Sequence, residues 1–589
     1  MSADAWITLV VIAVVLFGLT REVAPPAALV LAGTISLLVF GVIDEGQAFA
    51  GFSNPAPLTV AALYVLARAA EKTGLLGPLV GRLLGRTGDG RRSLSRLLLP
   101  TAGTSAFINN TPLVAMLIPE VTAWADKHKI SPSRLLLPLS YAAILGGTLT
   151  VIGTSTNLVV SGLLVESGQE PLGFFEITPI GAVVVVSGLA LLIGLVPSLL
   201  PDRRGIDASL SSEGMREFVV EMDVEPGGHL DGKTVADAGL RHLEGVYLIE
   251  ILRNGEAIAP VAPNRRLSGN DRLRFVGRAD LVLDLQRMRG LRSSESEHLL
   301  AVDTPSHTFF EAVIGGASPL VGRTLKEIGF RSRYGAAVVA IHRAGERVNA
   351  KFGEVALRPG DTLLLLAAPD FRGRWREGRD FLLVAELGGA PPSASRKAPV
   401  VGVIAVALMG LAALEVLPIL QAALLAAAAL VLTRVLTVSE ARDAVDLDVV
   451  VLIAAAFGLG AAMETTGLAE TLANGLVDLL GPLGSIGIIL GVVLATVALT
   501  EMITNNAAAV VVFPIALAVG ISTGIDPRAL AIAVALAASA SFLTPLGYQT
   551  NTMVYGPGGY RFTDYLRAGV PLTLVVVAAI TLMTYALAG

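Results

Sequence analysis

Long apolar stretches separated by short polar interruptions fill both ends of this 589-residue chain. Several of the stretches approach the roughly 20 residues that an α-helix needs to cross a bilayer. The pattern predicts two sets of membrane-spanning helices, one in residues 1–200 and one in residues 397–589. The near-continuous apolar runs lie at residues 5–20, 25–43, 55–70, 133–163, 177–200, 398–436, 446–463, 485–500, 527–547 and 569–588.

Both ends carry the same polar motifs in the same order. The matching segments are residues 71–75 with 464–468, 107–110 with 503–506, and 153–157 with 547–551. Equivalent positions are separated by 393 (71 to 464), 396 (109 to 505) and 394 (157 to 551) residues. Ordered matches at nearly one offset indicate duplicated membrane halves. Such an arrangement is typical of secondary transporters, whose site lies where the halves meet.

The middle of the chain, residues 201–396, has a different pattern. Short β-type runs such as Val246–Leu252 are followed by polar turns, which predicts β-strands. Residues 230–277 match residues 320–367, and each copy predicts a strand, a helix, a hairpin and a final strand. The pattern therefore predicts two small α+β domains, at residues 212–292 and 299–388.

Composition places the whole chain among membrane proteins. The chain is 53% hydrophobic and 16% charged, with a mean hydropathy of +0.68, which is too apolar for an ordinary soluble protein. It has no Cys, which excludes disulfides, thiolate metal sites and a cysteine nucleophile. We expect lipid and small ions as partners, and no nucleic acid.

Basic residues concentrate in particular loops. They are Arg82, Arg86, Arg91, Arg92, Arg96, Lys127, Lys129, Arg134, Arg203 and Arg204. The loops at residues 44–45 and 166–176 are acidic. By the positive-inside rule, the basic loops and the middle domains are cytoplasmic in a multi-pass protein of the cell (inner) membrane. Five spans plus one re-entrant hairpin in each half satisfy this charge pattern, and an odd number of spans inverts the second half relative to the first.

The Asn motifs lie at the expected hairpin tips, within residues 93–120 and 483–515. Asn110-Thr111-Pro112 follows an apolar approach and precedes another apolar run, as at the start of a helix. Backbone N–H groups at such a tip face an anion and carbonyl groups face a cation. The alternative is that Asn and Thr only hold packed helices together.

The motifs that follow, Gly153–Asn157 and Gly547–Asn551, interrupt the next span of each half. Glycine permits a break in the helix, and hydroxyl and amide groups replace water around a small ion. A simple helix kink is the alternative interpretation. No Lys or Arg lies near the Asn motifs, so a bound dianion requires helix N-termini, neutral donors and co-bound cations such as sodium. The acids Glu71, Glu464 and Glu501 keep proton coupling open.

These residues resemble a known family. Asn109-Asn110-Thr111 and Asn505-Asn506-Ala507 are similar to the paired Ser-Asn-Thr hairpin motifs of the divalent-anion/sodium symporter family, which carries sulfate, succinate and citrate. The middle region resembles two TrkA C-terminal (RCK-C) regulatory domains, and residues 544–562 resemble the subgroup of carriers with such inserts. The resemblance implies a homodimer with a scaffold part and a moving transport part that works by an elevator motion.

The resemblance also implies the site residues. The first sodium site would use Ser105, Asn110 and Gly153, and the second would use Thr504, Asn506 and Gly547. Substrate contacts would come from Asn109, Asn110, Thr111, Thr154, Ser155, Asn505, Asn506, Tyr548 and Gln549.

This chain departs from the family pattern at several of these positions. Asn replaces Ser at positions 109 and 505, and Ala507 replaces Thr. The Pro-Pro pairs of the two loops become Ser155-Thr156 and Gln549-Thr550. The additional donors fit a tetrahedral oxyanion better than a dicarboxylate. Glu501 stands where the family has a neutral sodium ligand.

The leading hypothesis is therefore a sodium-coupled symporter of a small divalent anion, with sulfate preferred. A sodium/dicarboxylate symporter and a cation/proton antiporter are the alternatives within transport. Outside transport, an RCK-gated ion channel is disfavoured because no Thr-Val-Gly-Tyr-Gly-type filter is present. An enzyme is not expected, since the spans contain no nucleophile–base pair. The effector of the RCK-C-like domains is left open.

Overall fold

The computed structural model describes all residues except 22, 76–89, 129, 203–216, 241–245, 254–255, 260, 279–287, 289, 294–307, 316–317, 344–345, 349–351, 369–370, 376–379, 382, 387–394, 546 and 589. Arg82, Arg86, Lys129, Arg203 and Arg204 of the predicted basic loops lie outside the described residues. The chain divides into two compact units. Met1–Arg203 and Ala390–Gly589 together form a helical unit, and Arg204–Gly389 forms the other.

Helices make up the first half of the helical unit. They are α1 (Ala3–Thr20), α2 (Pro26–Val39), α3 (Glu45–Ser53), α4 (Pro55–Thr73), α5 (Gly90–Ser105), α6 (Asn110–Lys127), α7 (Leu136–Gly146), α8 (Ser155–Glu166), α9 (Thr178–Gly194) and α10 (Val196–Leu199).

Local sequence explains several of these boundaries. The Ser2 hydroxyl accepts a hydrogen bond from the Ala5 N–H at the start of α1, and Asp44 forms a capping box with Gln47 at the start of α3. Asn54 caps α4, and Gly74 ends it with a left-handed φ of 61°. The short interruptions seen in the apolar pattern are therefore helix caps.

The second unit contains two five-stranded antiparallel sheets. The first is built from β1 (Glu217–Val224), β2 (Val246–Arg253), β3 (Glu256–Ile258), β4 (Arg272–Arg278) and β5 (Leu291–Ser293), and its strand order is β5-β1-β4-β2-β3. The second is built from β6 (Thr308–Val313), β7 (Ala336–Arg343), β8 (Glu346–Arg347), β9 (Thr362–Ala367) and β10 (Leu383–Glu386), in the order β10-β6-β9-β7-β8. The two sheets therefore have the same topology.

Side-chain contacts repeat along with the strands. Arg253 forms a bidentate ion pair with the buried Asp271, with both N–O distances 2.7 Å, and Arg343 binds Asp361 at the same two distances. The partners lie 18 residues apart in each copy. The internal repeat seen in the sequence is thus present in three dimensions.

The two copies differ at the predicted helix. In the second copy the helices α11 (Leu325–Ile328) and α12 (Phe330–Tyr334) follow a complete capping box between Thr324 and Glu327, and α13 (Phe371–Trp375) follows β9. In the first copy, Thr234 and Asp237 bond to each other, and residues 235–240 form turns. The expected helix of the first copy is therefore wrong for residues 235–240. The Asp237 carboxylate is one methylene shorter than that of Glu327 and accepts from the Thr234 hydroxyl instead.

The second half of the helical unit again consists of helices. They are α14 (Ala398–Ala413), α15 (Ile419–Leu432), α16 (Val438–Asp443), α17 (Leu447–Thr465), α18 (Leu468–Leu480), α19 (Gly484–Thr500), α20 (Asn505–Thr523), α21 (Pro527–Ala538), α22 (Gln549–Tyr555) and α23 (Phe562–Ala588).

The same series of helices recurs in both halves. Helices α14–α17 follow the order of α1–α4, and α19–α23 follow the order of α5–α9. Among the described residues, six helical stretches are long and apolar enough to cross a membrane. They are Ala3–Thr20, Glu45–Thr73, Leu447–Thr465, Leu468–Thr500, Asn505–Thr523 and Phe562–Ala588.

Helices of the two halves pack against one another. Helix α17 packs on α2 and α3, α15 packs on α4, and α8 packs on α20 and α21. The packing is tightest where glycine faces a backbone carbonyl. A Cβ on Gly181 would lie 2.1 Å from the Thr148 oxygen, and one on Gly569 would lie 2.1 Å from the Phe542 oxygen. Gly181 in α9 and Gly569 in α23 thus each pack directly against a polar loop of their own half.

Candidate functional site

The first hairpin tip is the turn between α5 and α6. Ser105 ends α5, and its hydroxyl donates to the Ala143 carbonyl oxygen at 2.7 Å and lies 2.5 Å from Asn110 Oδ1. Asn110 begins α6 and is fully buried, while Asn109 is half-buried just before it. Ser105, a predicted sodium ligand, therefore connects the tip to α7 by a hydrogen bond.

The second tip lies between α19 and α20 and is built in the same way. The Thr500 hydroxyl donates to the Ala538 carbonyl oxygen at 2.6 Å, across the same separation of 38 residues as in the first tip. Thr500 is thus the structural counterpart of Ser105. Thr504, the predicted sodium ligand of this tip, caps α20, where its hydroxyl accepts a hydrogen bond from the Ala507 N–H at 3.4 Å.

The broken spans are held open by buried asparagines. Asn157 Nδ2 donates to the carbonyl oxygens of Gly147 and Thr150, at 3.1 and 2.9 Å. Asn551 Nδ2 donates to those of Ser541 and Thr544, at 3.0 and 3.3 Å. The partners lie 10 and 7 residues before the asparagine in both halves. One side chain therefore satisfies two carbonyl groups of each unwound loop, as buried backbone requires.

Glycine is required inside both loops. A Cβ on Gly153 would lie 2.6 Å from the Gly147 carbonyl oxygen, and one on Gly547 would lie 2.2 Å from Ser541 Oγ. These two predicted sodium ligands can offer only backbone carbonyl groups. Glycine is needed at both positions because the backbone lies too close to neighbouring oxygen atoms to leave room for a side chain.

Each hairpin tip bonds to the broken loop of the other half. Asn110 Nδ2 donates to the Tyr548 hydroxyl at 2.6 Å, and Thr111 donates to Gln549 at 3.1 Å. Tyr548 also lies 3.2 Å from the Thr154 hydroxyl, which joins it to the first loop. A single polar cluster therefore contains groups from both halves.

The reciprocal contacts complete the cluster. Ser155 and Thr156 donate to Asn506 Oδ1 at 3.1 and 3.3 Å, and Asn505 Nδ2 donates to Thr156 at 2.9 Å. We call the whole set the cross-half network: Asn110, Thr111, Thr154, Ser155, Thr156, Asn505, Asn506, Tyr548 and Gln549. These hydrogen bonds bring together all the predicted substrate contacts except Asn109, and they add Thr156.

The chemistry of the cross-half network suits an anion and its counter-ions. Its side chains are all neutral hydroxyl and amide groups that can donate or accept. Three helices of 12 to 19 residues, α6, α8 and α20, begin within it and direct their positive ends there. Within the described part of the chain, no group of three or more His, Cys, Asp or Glu side chains is arranged to hold a metal ion. The cross-half network can therefore provide only neutral oxygen atoms as ligands for a cation.

A charged clamp supports the first loop from the second half. Arg528, at the start of α21, binds the Glu176 carboxylate through two nitrogens and donates to the carbonyl oxygens of Glu170 and Pro171, at 2.8 and 3.0 Å. The clamped segment carries Phe174, which stacks on Phe107 of the first tip with ring centroids 6.5 Å apart. The pKa of Glu176 lies below its ordinary value, because the bonds from Arg528 and Gly173 outweigh the effect of burial.

Several of these residues were missed by the sequence analysis. Thr500, Thr156 and the loop-holding pair Asn157 and Asn551 were not named as site residues. The offset of 393 to 396 residues was the signal that could have found them, since it relates Asn157 to Asn551 directly. Arg528 had no such signal, because Ser133 occupies the equivalent position of the first half.

Comparison with known proteins identifies the family. The family model described as citrate transporter (CitMHS) matches residues 8–519. The chain belongs to this family. An uncharacterized transporter of Synechocystis sp. is 34% identical, over 99% of this chain and 97% of its own length. The uncharacterized transporter YfbS of Escherichia coli is 30% identical, over 98% of both chains.

A further relative carries a substrate in its name. Sodium/sulfate cotransporter 2 of Chlamydomonas reinhardtii is 26% identical, over 92% of this chain and 85% of its own length. This member of the citrate transporter family is therefore a multi-pass membrane transporter, and the expectation that it is not an enzyme is confirmed.

Proposed function

We propose that this transporter is a sodium-coupled symporter of a small divalent oxyanion, with sulfate preferred to dicarboxylates. The observation that carries the proposal is the cross-half network, in which three helix N-termini and neutral donors of both halves converge. The similarity to proteins named sodium/sulfate cotransporters supports the choice of cargo.

The anion would bind the network through helix N-termini and neutral donors. A helix N-terminus offers free N–H groups and the positive end of the helix dipole, which favour a phosphate- or sulfate-like ligand. The contacts would come from Asn109, Asn110, Thr111, Thr154, Ser155, Asn505, Asn506, Tyr548 and Gln549. In the absence of a cationic side chain in the network, part of the anion's charge has to be balanced by sodium.

Two sodium ions would bind where each tip meets a broken loop. The first site would use Ser105, Asn110 and Gly153, and the second would use Asn506 and Gly547, with Thr504 at the start of α20. In the first site, Ser105 Oγ and Asn110 Oδ1 already lie 2.5 Å apart beside the loop. Binding of sodium would thus organise the same asparagines that contact the anion, which gives a direct physical basis for coupling.

Transport would follow an elevator-type cycle in a homodimer. We infer that the two halves are inverted repeats, each with five spans and a re-entrant hairpin. The hydrogen bonds between tips and loops of opposite halves favour movement of the whole site as one body, because separating the halves would break every one of them. This movement would expose the network to each side of the membrane in turn.

The inserted unit is proposed to regulate this cycle. Residues 212–292 and 299–388 would be RCK-C-like domains on the cytoplasmic face, linked by the chain to the end of the first half and the start of the second. A small molecule that binds one conformation better would shift the balance between states. The alternative is a passive dimerisation module.

Replacing residues 212–388 by a flexible linker tests regulation. We expect a folded transporter with an altered maximal rate of uptake, measured in proteoliposomes. The passive role would be supported by an unchanged rate of uptake together with calorimetry that detects no small molecule bound by the insert of the full-length protein.

Uptake into proteoliposomes tests the main proposal. Purified protein is reconstituted, and entry of radiolabelled sulfate, succinate and citrate is measured under an inward sodium gradient and under potassium alone. We expect sodium-dependent sulfate uptake that unlabelled sulfate inhibits better than succinate. Equal uptake under potassium would exclude sodium coupling. Preferred uptake of succinate or citrate would replace the sulfate proposal by the carboxylate alternative, and the description of the family favours citrate.

A further inference from the structure

Polar side chains hold the chain at the point where it leaves the helical unit. Asp202 accepts a hydrogen bond from the Ser131 hydroxyl and forms an ion pair with Arg134 at an N–O distance of 3.0 Å. The Ser133 hydroxyl donates to the Pro201 carbonyl oxygen at 2.8 Å. Arg134 and Asp202 are about half exposed, so their ion pair alone contributes little and the attachment depends on the whole set. We call these five residues the entry anchor.

The entry anchor belongs to the helices that build the site. Residues 131–134 lead directly into α7, which accepts the hydrogen bond from the first tip. The Ser140 hydroxyl of α7 donates to Asn551 of the second broken loop at 2.7 Å. The Tyr560 hydroxyl, from the second half, donates to the Ser133 carbonyl oxygen. The chain therefore departs for the inserted unit from the part of the transporter that carries the cross-half network.

The chain returns from the inserted unit onto different helices. The Ser395 N–H donates to the Thr73 carbonyl oxygen, at the end of α4, at 2.9 Å. The Lys397 ammonium donates to the carbonyl oxygen of Arg434, just after α15. Helix α4 packs on α14 and α15, and neither α4 nor α15 contributes a residue to the cross-half network.

An ion pair joins two of the helices at this return point. Lys72 of α4 binds Glu440 of α16 at 2.5 Å. The bond from Lys72, followed by the bond from the Thr437 N–H, lowers the pKa of Glu440 to about 2. The carboxylate therefore stays ionised under physiological conditions, and the pair stays charged. The exit anchor is defined by Lys72, Thr73, Ser395, Lys397, Arg434 and Glu440.

The equivalent helices of the other half do not carry these charges. Helix α3 packs near α17 there as α16 packs near α4 here. At the offset of 393 residues, the counterparts of Lys72, Glu440 and Arg434 are Thr465, Gln47 and Gly41. Gly41 has a φ of 72°, which glycine adopts freely, whereas Arg434 is held at a φ of 54°, which is strained for a long side chain. Such strain persists where the surroundings impose it, as the bond from Lys397 does here.

We propose that the two anchors tie the inserted unit to two groups of helices that move relative to each other during transport. The site group is α5–α9 with α19–α23, and the outer group is α1–α4 with α14–α17. The inference rests on the proposed elevator cycle and deepens the proposed regulation by giving it a mechanical route. A state of the inserted unit that changes the separation of Asp202 and Ser395 favours one position of the site group, and movement of the site group acts back on the inserted unit.

Distances between spin labels in proteoliposomes test this inference. The chain has no Cys, so cysteines introduced at exposed positions are labelled uniquely. Ser198→Cys with Arg396→Cys reports on the two ends of the inserted unit, and Thr563→Cys with Ser439→Cys reports on the two groups away from the anchors. We expect both pairs to show two distances whose proportions shift when sodium and sulfate are added. Arg396→Cys with Ser439→Cys, both in the outer group, is the control and should keep one distance.

The two reporting pairs separate this inference from the function on which it rests. A shift between positions 563 and 439 without one between 198 and 396 would overturn the anchoring inference and leave the elevator cycle intact. No shift in either pair, in protein that takes up sulfate, would refute the elevator cycle and the inference together. Sodium-independent uptake with both shifts present would refute only the coupling to sodium.

Removal of the exit ion pair tests whether the anchor transmits regulation. We expect Lys72→Gln to change the maximal uptake rate of the full-length protein severalfold, toward the rate of the variant whose residues 212–388 are replaced by a linker. In that linker variant Lys72→Gln should have no further effect. An equal effect in both proteins would show that the pair only stabilises the helices, and would overturn the mechanical route. Arg442→Gln, which removes an exposed charge of α16 paired with Asp443, is the matched control and should leave uptake unchanged.

Discussion

In the first half of the helical unit the Ser105 hydroxyl donates to the carbonyl oxygen of Ala143, and in the second half Thr500 donates to Ala538. The asparagines that hold the two broken loops are equally well matched, with partners 10 and 7 residues away in both. The side chains that face the site differ, because Thr154 and Ser155 of the first loop correspond to Tyr548 and Gln549 of the second. Duplication has therefore kept the contacts that build the loops and changed those available to a ligand.

The same contrast appears in how each loop is supported from the opposite half. Arg528 clamps the segment after α8 through the Glu176 carboxylate. The segment after α22 is supported by Tyr560, whose hydroxyl donates to the Ser133 carbonyl oxygen at 2.6 Å and accepts from the Leu137 N–H at 2.8 Å. Arg528 and Ser133 are equivalent positions, so one loop is held by charge and the other by a buried neutral contact.

The largest expected effect comes from adding a methyl group at the shared scaffold. Gly181→Ala and Gly569→Ala each place a Cβ about 2 Å from a backbone oxygen, so the helices must separate. We expect a loss of about 1–3 kcal/mol or more of stability in each case, and no detectable uptake. Gly194→Ala meets no atom within 4 Å and is the control. Thermal unfolding followed by fluorescence measures the loss of stability of each variant relative to the wild type. Unequal losses at positions 181 and 569 would show that the two halves are not equivalent here.

The next effect concerns the paired tip asparagines. Asn110→Ala removes a donor to Tyr548 and an acceptor beside Ser105, and Asn506→Ala removes the acceptor shared by Ser155 and Thr156. We expect each change to abolish sodium-driven uptake while the protein stays folded and elutes as the wild type does in size-exclusion chromatography. Wild-type uptake by either variant would show that the asparagines serve only to pack helices.

A smaller effect distinguishes the charged clamp from its neutral counterpart. Because the pKa of Glu176 lies below its ordinary value of 4.5, its ionised form adds stability above that pH, and this stability is lost as the pH falls through the lowered pKa. Arg528→Ala should lower the melting temperature by roughly 2–4 °C at neutral pH and by less at pH 3. Tyr560→Phe, the matched change on the other side, should lower it equally at both pH values. A pH-independent effect of Arg528→Ala would show that the ion pair contributes nothing.

The smallest expected effect lies at the edge of the cross-half network. Thr111 donates to the exposed Gln549, so Thr111→Val removes one solvent-accessible hydrogen bond. A net loss of about 0.5 kcal/mol corresponds to a two- to threefold rise in the sulfate concentration that gives half-maximal uptake. Thr523→Val, at the end of α20, is the control outside the network. No change at Thr111 would argue against its proposed contact with the anion, and a change of more than tenfold would show that this contact contributes more than the bond to Gln549.

Sequence alone could indicate much of the backbone plan. The apolar runs and the repeated motifs at Asn110 and Asn506 depend on local or periodic signals, and the helices of the membrane halves lie where these signals predicted. The multi-pass transporter class was likewise predicted and is confirmed by the family. The roles of the individual site residues stay predictions.

Contacts between distant segments could not be read from the chain. Thr111 meets Gln549 across 438 residues, and Arg528 meets Glu176 across 352. Such pairs depend on how the halves pack, which no local pattern encodes. The sequence could not show which hydroxyl of the second tip matches Ser105, because only the bond from Thr500 to Ala538 reveals it. The role of Thr504 as a sodium ligand stays a prediction.

The large sequence separation between Asn110 and Tyr548 also has a consequence for biosynthesis. Tyr548 is made 438 residues after Asn110. At about 5–20 residues per second, roughly 20–90 s pass before the first tip can meet its partner. During that interval the Asn110 amide lacks this partner, and burying an unpaired amide in an apolar environment costs free energy. We therefore expect the hairpin to reach its final depth only after the last helices are synthesised, so that assembly in the membrane follows the pairing of the halves rather than the order of translation.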